Sequence, residues 1–499
     1  MAWLPREKAD RQLAVLRAAL DRLPDGYFGN LGLSPDDLEA LQECMEGRVV
    51  VPGDPEYEGL RWKGSHYPDL DEPGFIAMCE VVSDVRCCLD FARRHDVEFA
   101  PRSGGHSTVG FGVPRGMVVD LSELHGVLMS DDLRSVRVQA GANLSKVYRT
   151  LEMYDRHIPG GECDSVGVAG HMQGGGYGFT SREFGLNCDV VEEVSMMLAD
   201  GSIVRANVDT NSLLYWAVRG GTGNNFGVLL EVRYRLAELK ELWGGTFLWT
   251  IDKAPELLAA LQAGYMREGD VPSRLGFQLA MAFFPVMGGE KVPVLVMMCM
   301  FNGSEREALD LLQPLFAIHE PVEVPFSKVE RYFDLNRDLI ESFYPDPPPR
   351  KGTYELKSSA YVAAPLGTVG WGEVVDVFKT SPNPYNVIAM EVYGGRISEV
   401  QPEDTAFVHR HTDGDLFWDS FYNDDWAYND REAAQKWLDD VADVIGKYST
   451  GGRYQNYPER GLEDFMTAYF GDNARKLVDA KKAYDPDDFF TFEQGIKPG

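Results

Sequence analysis
Two spacings of apolar residues alternate along this chain, one near the helical repeat and one near the strand repeat, and their order sets out its architecture. In residues 2–23 the positions Leu13, Val15, Leu16, Leu20 and Leu23 fall close to helical spacing, and Ser34-Pro35 opens a second predicted helix. From Arg48 the run VVVP reads as a short strand, and VVSDVRCCLDFARRHD reads as a helix striped by Val81, Val85, Cys88, Leu89 and Ala92. Strands are predicted in VEFAPR, GMVVDLSEL and RSVRVQAGA, with a helix in LSKVYRTLEMYDRH. Asp200-Gly201 between two apolar runs marks a hairpin. A short helix, a glycine loop and an alternating strand follow in LLYWAVRGGTGNNFGVLLEVRYRL.

The character changes near Leu239 to Trp243. Strand-like runs (GTFLWTI, RLGFQLAMAFF, KVPVLVMMCMF, TYELKSSAYV, NVIAMEVYGG, TAFVHR) then interleave with helical ones (APELLAALQAGYM, EREALDLLQPLF, REAAQKWLDDVADVIGKY), and FYPDPPPRKG reads as a loop. The last stretch offers a helix ending at Tyr484-Asp485-Pro486 and then an aromatic strand. The expected class is α+β, with a helical extension over 1–45, a layered domain over 46–240, a domain built on a large antiparallel sheet over 241–450, and a return to the first domain over 451–499.

Composition adds exclusions. A chain of 499 residues is too long for one ordinary core. Its net charge of −30 disfavours nucleic acid and anionic membrane surfaces, because phosphate binding needs a cationic face. The N-terminus has charges throughout, with no signal-like apolar core and no uninterrupted apolar span of membrane length, so a cytoplasmic location is expected. Seven cysteines, an odd number without CxxC or metal-like spacing, argue against a complete disulfide framework and are expected mostly as small buried apolar residues.

Candidate chemistry concentrates in two loops. Residues 158–178, IPGGECDSVGVAGHMQGGGYG, hold eight glycines, and PRSGGHSTVG lies upstream at 101–110. Such density lets the main chain approach a ligand closely. Neither loop carries the lysine and hydroxyl of a nucleotide-hydrolase phosphate loop, and neither sits as a dinucleotide fingerprint requires. What remains is main-chain amides arranged for pyrophosphate, so both loops are read as closing on one flat, phosphate-bearing cofactor. His106 and Cys163 are the reactive side chains there. Singly, each fits a turn-holding histidine or a buried filler. A metal site lacks third and fourth ligands nearby, so no metal is expected.

Taken together, PRSGGHS, VVDLSEL, IPGGECDSVGVAGHMQGGGYGFTSREFGL, LADGSIVRAN, LYWAVRGGTGNNFGV, YGGRISEVQPEDTAFVHR, RYQNYP and KKAYDPDDFF resemble the berberine bridge enzyme group of flavoproteins in the vanillyl-alcohol oxidase superfamily. The resemblance runs in order from about Val51 to Ile496 and implies a two-part FAD-binding domain split around a substrate domain. It implies bicovalent FAD, with His106 bonded to the 8α carbon and Cys163 to C6. Arg102, Ser103, Gly104, Gly105 and Ser107 would cradle the pyrophosphate, and Gly161, Gly167, His171, Gly174, Gly175 and Gly178 would line the rest. Gly227 and Val228 match the adenine-side strand. Val166, three residues after Cys163, matches the position where valine goes with oxidase behaviour.

In RYQNYP, Tyr454 matches the family's general base, with Asn456 and Tyr457 contacting flavin or substrate. A purely packing role for Tyr454 is weighed equally, and Glu391 and Tyr393, two apart on one strand, are the other candidate bases. His409 and Arg410 read as structural. The implied activity is hydride transfer from a CH–OH group of a sugar or hydroxylated natural product to flavin N5, with O2 reduced to H2O2. A dehydrogenase or oxidative cyclase using little O2, and a flavin-retaining protein without turnover, are the alternatives.

Overall fold
A computed structural model describes residues 6–61, 72–266, 271–343, 353–423 and 428–499. The loop 343–352 predicted from its prolines lies, beyond Phe343, outside the described residues. The predicted first domain holds two sheets. One comprises β1 (Arg48–Val50), β2 (Phe75–Met78), β3 (Phe99–Arg102) and β4 (Met117–Asp120) in the order β1-β2-β4-β3. β2 and β3 each pair parallel with β4. The second comprises β5 (Val127–Met129), β6 (Ser135–Gln139), β8 (Val191–Met197), β9 (Ile203–Asn207) and β10 (Val228–Arg235), antiparallel in the order β5-β6-β10-β8-β9. The ribbon β7 (Arg156–His157) with β11 (Ala237–Glu238) stands beside them.

The large antiparallel sheet comprises β12 (Glu241–Thr250), β13 (Leu275–Pro285), β14 (Lys291–Phe301), β15 (Glu323–Arg331), β16 (Thr353–Val362), β17 (Val387–Val392) and β18 (Gly414–Asn423), in the order β15-β12-β14-β13-β17-β18-β16. Both of its faces are covered. Along β14, Leu295, Met297, Cys299 and Phe301 join the cluster under the helices Ala254–Leu261, Glu305–Ile318, Gly367–Phe378 and Arg431–Gly446. The alternate residues Val294, Val296, Met298 and Met300 join the core shared with the first two sheets. Period-two alternation therefore sorts residues between two interiors, and the strand reads as one unbroken apolar run.

The N-terminal helices Arg6–Leu20 and Pro35–Cys44 bury Leu16, Ala19, Leu38 and Leu41 in the first core. Ser34 caps the second reciprocally with Asp37, satisfying donors that the first turn leaves unpaired. The C-terminal segment returns to the same core through Leu477, Ala480, Phe490 and Ile496. Its anchor is the buried Lys481 ammonium, which donates to Asp485 at 2.6 Å, to the Phe490 carbonyl at 2.8 Å and to the Asn225 carbonyl at 2.9 Å.

Four readings of the sequence need correction. TAFVHR is not a strand, because the Ala406 and Phe407 amides donate to the Arg219 carbonyl instead of to a sheet neighbour. The aromatic run after Tyr484 is irregular, with the Phe489 and Phe490 amides taken by the Asp485 carboxylate. β15 and β18 were not anticipated: β15 is a largely exposed edge and β18 opens on Gly414-Asp415. Cys44 and Cys87 are joined in a disulfide between two helices, a pairing 43 residues apart that cysteine spacing does not show. Cys79, Cys88, Cys188 and Cys299 are buried as expected. Among the described residues no helix is long and apolar enough to cross a membrane.

One buried ion pair ties the irregular 405–410 segment to the first core. Arg410 donates to both Asp189 oxygens at 2.8 Å and to Thr405 Oγ1 at 2.7 Å, and is wholly buried. Removing one partner of such a pair strands a buried charge, so Arg410→Ala is expected to cost about 3–5 kcal/mol. Scanning calorimetry should read this as a lowered midpoint, while Arg396→Ala, in an exposed pair with Glu399, should leave it within error.

Candidate active site
A cavity of about 580 Å3 runs between the glycine loops and the large sheet. Its lining is mixed in chemistry. Residues 101–108, 111–112 and 222–224 contribute no carboxylate to it, whereas Glu162 of the second glycine loop and Glu355, Glu391 and Asp419 of the sheet all do. In a chain of net charge −30, an acid-free wall of loop main chain suits a phosphate-bearing group, and the acid-rich wall suits a proton-accepting centre.

The loops are brought together by backbone contact. A Cβ on Gly104 would lie 2.2 Å from the Gly167 nitrogen, and one on Gly167 would lie 2.2 Å from both the Gly104 nitrogen and Ser103 Oγ. Ser103 Oγ also donates to the Ala140 carbonyl at 2.6 Å. This approach sets His106 Nε2 2.8 Å from Ser165 Oγ and puts His106 and Cys163 on the same cavity. Cys163 opens to the cavity deep in the molecule, and burial, then the charge of Glu162, pushes its thiol up to about 12. His171 is held neutral, lowered to about 4 by burial, and its Nε2 accepts from the Gly161 amide at 3.0 Å.

The facing wall is the polar half of the sheet's alternation: Gln278 on β13, Glu391 on β17, Glu355 and Lys357 on β16, Phe417 and Asp419 on β18. Tyr457 donates to Glu391 Oε1 at 2.5 Å, and Glu391 Oε2 has no hydrogen-bond partner. Burial, then the charges of Glu162 and Asp415, holds the Glu391 carboxyl well above the usual range. The buried Lys357 ammonium bonds Asp419, approaches Glu355 at 3.4 Å, and lies 4.7 Å from the Tyr457 ring centroid and 4.6 Å from that of Phe417. Such placement favours electron density on the phenol.

Other predicted site residues differ in place. Tyr454 borders the cavity, and its oxygen accepts from the Gly176 amide at 3.1 Å, the Tyr177 amide at 3.3 Å and Asn456 Nδ2 at 3.0 Å, which ties it to the glycine loop. Tyr393 is wholly buried beyond the end of β17, its hydroxyl 3.2 Å from that of Tyr361, and does not border the cavity. Arg102 does border it, yet its guanidinium is held by Asp120 at 2.7 Å and by the Leu60 and Arg61 carbonyls. Gly174, Gly175 and Gly178 pack behind the wall against Asn456, Phe407 and the Gly160 carbonyl. Gly227 and Val228 also lie off the cavity, where Thr222, Gly223 and Asn224 border it.

Ser103, Gly104, Gly105, Ser107, Gly161, Val166, Gly167, His171, Asn456 and Tyr457 all border it. Glu162, Gln278, Lys357 and Asp419 were missed. Glu162 stands beside Cys163 in plain view, and the odd-numbered polar positions of TYELKSS mark one face of β16. Among the described residues there is no cluster of acidic, histidine or cysteine side chains able to hold a metal ion.

Comparison with known proteins converges on one group. The profile for an FAD binding domain matches residues 73–207, and that for berberine and berberine-like proteins matches 453–497. The FAD-linked oxidoreductase YgaK of Bacillus subtilis is 27% identical over 469 residues, covering 91% of this chain and 97% of its own. A chitooligosaccharide oxidase of Gibberella zeae is 28% identical over 503 residues, covering 95% and 97%. The structure of BBE-like 1 from Physcomitrella patens superposes with a TM-score of 0.82 at 25% identity, covering 93% of this chain and 99% of that one.

The loop contact can be tested directly. Gly167→Ala must push Ser103 and Gly104 away, at about 1–3 kcal/mol for overpacking, and should lower both the thermal midpoint and the FAD retained through gel filtration. Gly372→Ala, off the cavity and with nothing within 4 Å of the added Cβ, should retain FAD as the wild type does.

Proposed function
We propose that this chain, which belongs to the berberine bridge enzyme-like FAD-linked oxidoreductases, is an oxidase that takes two electrons from a CH–OH group of a sugar or hydroxylated natural product and passes them to O2, giving H2O2. The reading is carried by the Tyr457–Glu391 hydrogen bond of 2.5 Å in the cavity that His106 and Cys163 also border. A sugar is favoured by the acid-rich wall, whose carboxylates can order several hydroxyls, and by the similarity to a chitooligosaccharide oxidase.

The residues present fit FAD. The acid-free loop wall would take the pyrophosphate through main-chain amides of 103–107, and His106 and Cys163 would be the two covalent anchors. When bound, FAD supplies the two-electron acceptor, with N5 receiving the hydride. Tyr457, half-buried at the cavity wall, would take the substrate hydroxyl proton as its own passes to Glu391 Oε1. Lys357 steadies charge developing on the phenol, and Phe417, with its ring centroid 5.1 Å from that of Tyr457, fixes that ring. Val166 borders the cavity three residues after Cys163, the position associated with oxygen use in this family.

The purified protein should keep its yellow colour through acid precipitation and carry the added mass of one FAD. Turnover on a panel of oligosaccharides and hydroxylated aromatics, followed by peroxidase-coupled detection, should release H2O2. Reduced flavin that stays bleached for minutes in air would instead make the protein a dehydrogenase. Tyr457→Phe and Glu391→Gln should each lower kcat about 10²–10⁴-fold, whereas Tyr454→Phe should chiefly lower stability.

The pH dependence has a definite sign. Glu391 must be ionised to accept a proton, and its pKa is raised, so kcat/KM should fall as pH drops through a midpoint well above the ordinary carboxylate value of 4.5. A pH profile of Glu391→Gln should lack that limb.

A further inference from the structure
Cys163 cannot act as a nucleophile until it loses its proton, because the thiolate and not the thiol attacks. Burial holds that proton tightly, so the covalent attachment inferred above needs an acceptor nearby. Other cavity groups face partners of their own. His106 is engaged by Ser165, His171 Nε2 accepts from the Gly161 amide, Glu391 Oε1 accepts from Tyr457, and Glu355 and Asp419 pair with Lys357.

Glu162 remains. It precedes Cys163, borders the same cavity, and is fixed twice: Gln278 Nε2 donates to its Oε1, and Asn336 Nδ2 donates to its carbonyl at 2.8 Å. The groups interacting with it are Lys357 on β16, Glu391 on β17, Cys163 and Tyr177 of the loop region, Tyr148, Tyr332 and Tyr457. Burial raises this carboxyl to about 7, against the opposing pull of Lys357, so it exchanges protons near neutrality.

We propose that Glu162 is the proton acceptor that primes Cys163 for its bond to the flavin ring, with Gln278 holding the carboxylate in place. The inference rests on the bicovalent reading. In the step the Cys163 S–H bond breaks and its proton goes to Glu162; Sγ bonds to C6, which gives up its hydrogen as a proton. The two electrons left over pass with two protons to dioxygen, forming hydrogen peroxide. His106 attachment does not use Glu162.

Removing the histidine anchor isolates the step. Intact mass after denaturation should show one covalent FAD in His106→Ala, held by Cys163 alone, and at least a tenfold smaller flavinylated fraction in the His106→Ala/Glu162→Gln double variant. Glu162→Gln alone should keep its FAD through His106, which also reports that it folds. His106→Ala/Glu162→Asp should recover the Cys163 link. Incubated in air, its flavinylated fraction should grow faster as pH rises through the range in which the carboxylate ionises.

Absence of covalent FAD from His106→Ala would remove the Cys163 attachment itself, and the bicovalent reading with it. Equal flavinylation of His106→Ala with and without Glu162→Gln would overturn the role of Glu162 while leaving that reading intact. Loss of FAD from the single Glu162→Gln variant, unrestored by Glu162→Asp, would make the residue a packing element and equally overturn the proposal.

Discussion
The close passage of Gly104 against Gly167 is the constraint on which the rest of the site depends. Two loops about sixty residues apart in sequence touch through main chain, with no room for a Cβ on either. Because they touch, His106 reaches Ser165, and the cavity has one wall carrying both of its nucleophiles. A side chain at either glycine would separate these groups before any ligand contact was affected. Backbone approach, rather than a side-chain network, sets the spacing of the reactive atoms.

The second determinant is the large sheet, whose two faces are both interior. On the helical side its alternation delivers mostly apolar residues, and on the cavity side it switches from Met298 and Ala280 to Gln278, Glu391, Lys357 and Asp419 as the strands pass from β14 towards β16 and β18. Burial costs a carboxylate its ionisation, which is why Glu162 is raised to about 7 and, with the added charge of Glu355, Asp419 to about 6 despite Lys357. The same burial that is unfavourable to the fold makes these groups proton acceptors near neutrality.

Much of this was legible in the sequence, and the boundary is physical. Glycine density reports close backbone approach, so the two loops and the residues 103–107 stood out. The apolar runs of β13 and β14 were readable because both faces of those strands are buried. β15 escaped because a largely exposed edge strand has no apolar pattern to display. Gly174, Gly175 and Gly178 look like ligand-binding glycines, yet the close approach they permit is to Asn456, Phe407 and Gly160. Composition reports that something comes near, and only the fold says whether it is a ligand or another part of the chain.

The two tyrosines of RYQNYP show the same limit in chemical form. Tyr454 and Tyr457 are three residues apart, their ring centroids 4.9 Å from each other, and either phenol could serve a proton transfer by residue type. Their hydrogen bonds separate them. Tyr454 oxygen accepts from three N–H groups, two of them main chain, so moving it would unseat Gly176 and Tyr177. Tyr457 donates to a carboxylate whose other oxygen is unpartnered and whose proton affinity is raised by burial and then by its acidic neighbours. N–H donors stabilise a phenolate, and those at Tyr454 also tie its oxygen to the glycine loop, whereas the carboxylate facing Tyr457 can take that phenol's proton as the phenol takes another. The direction of those bonds, set by which strand and which loop each ring meets, gives two phenols of one motif different surroundings.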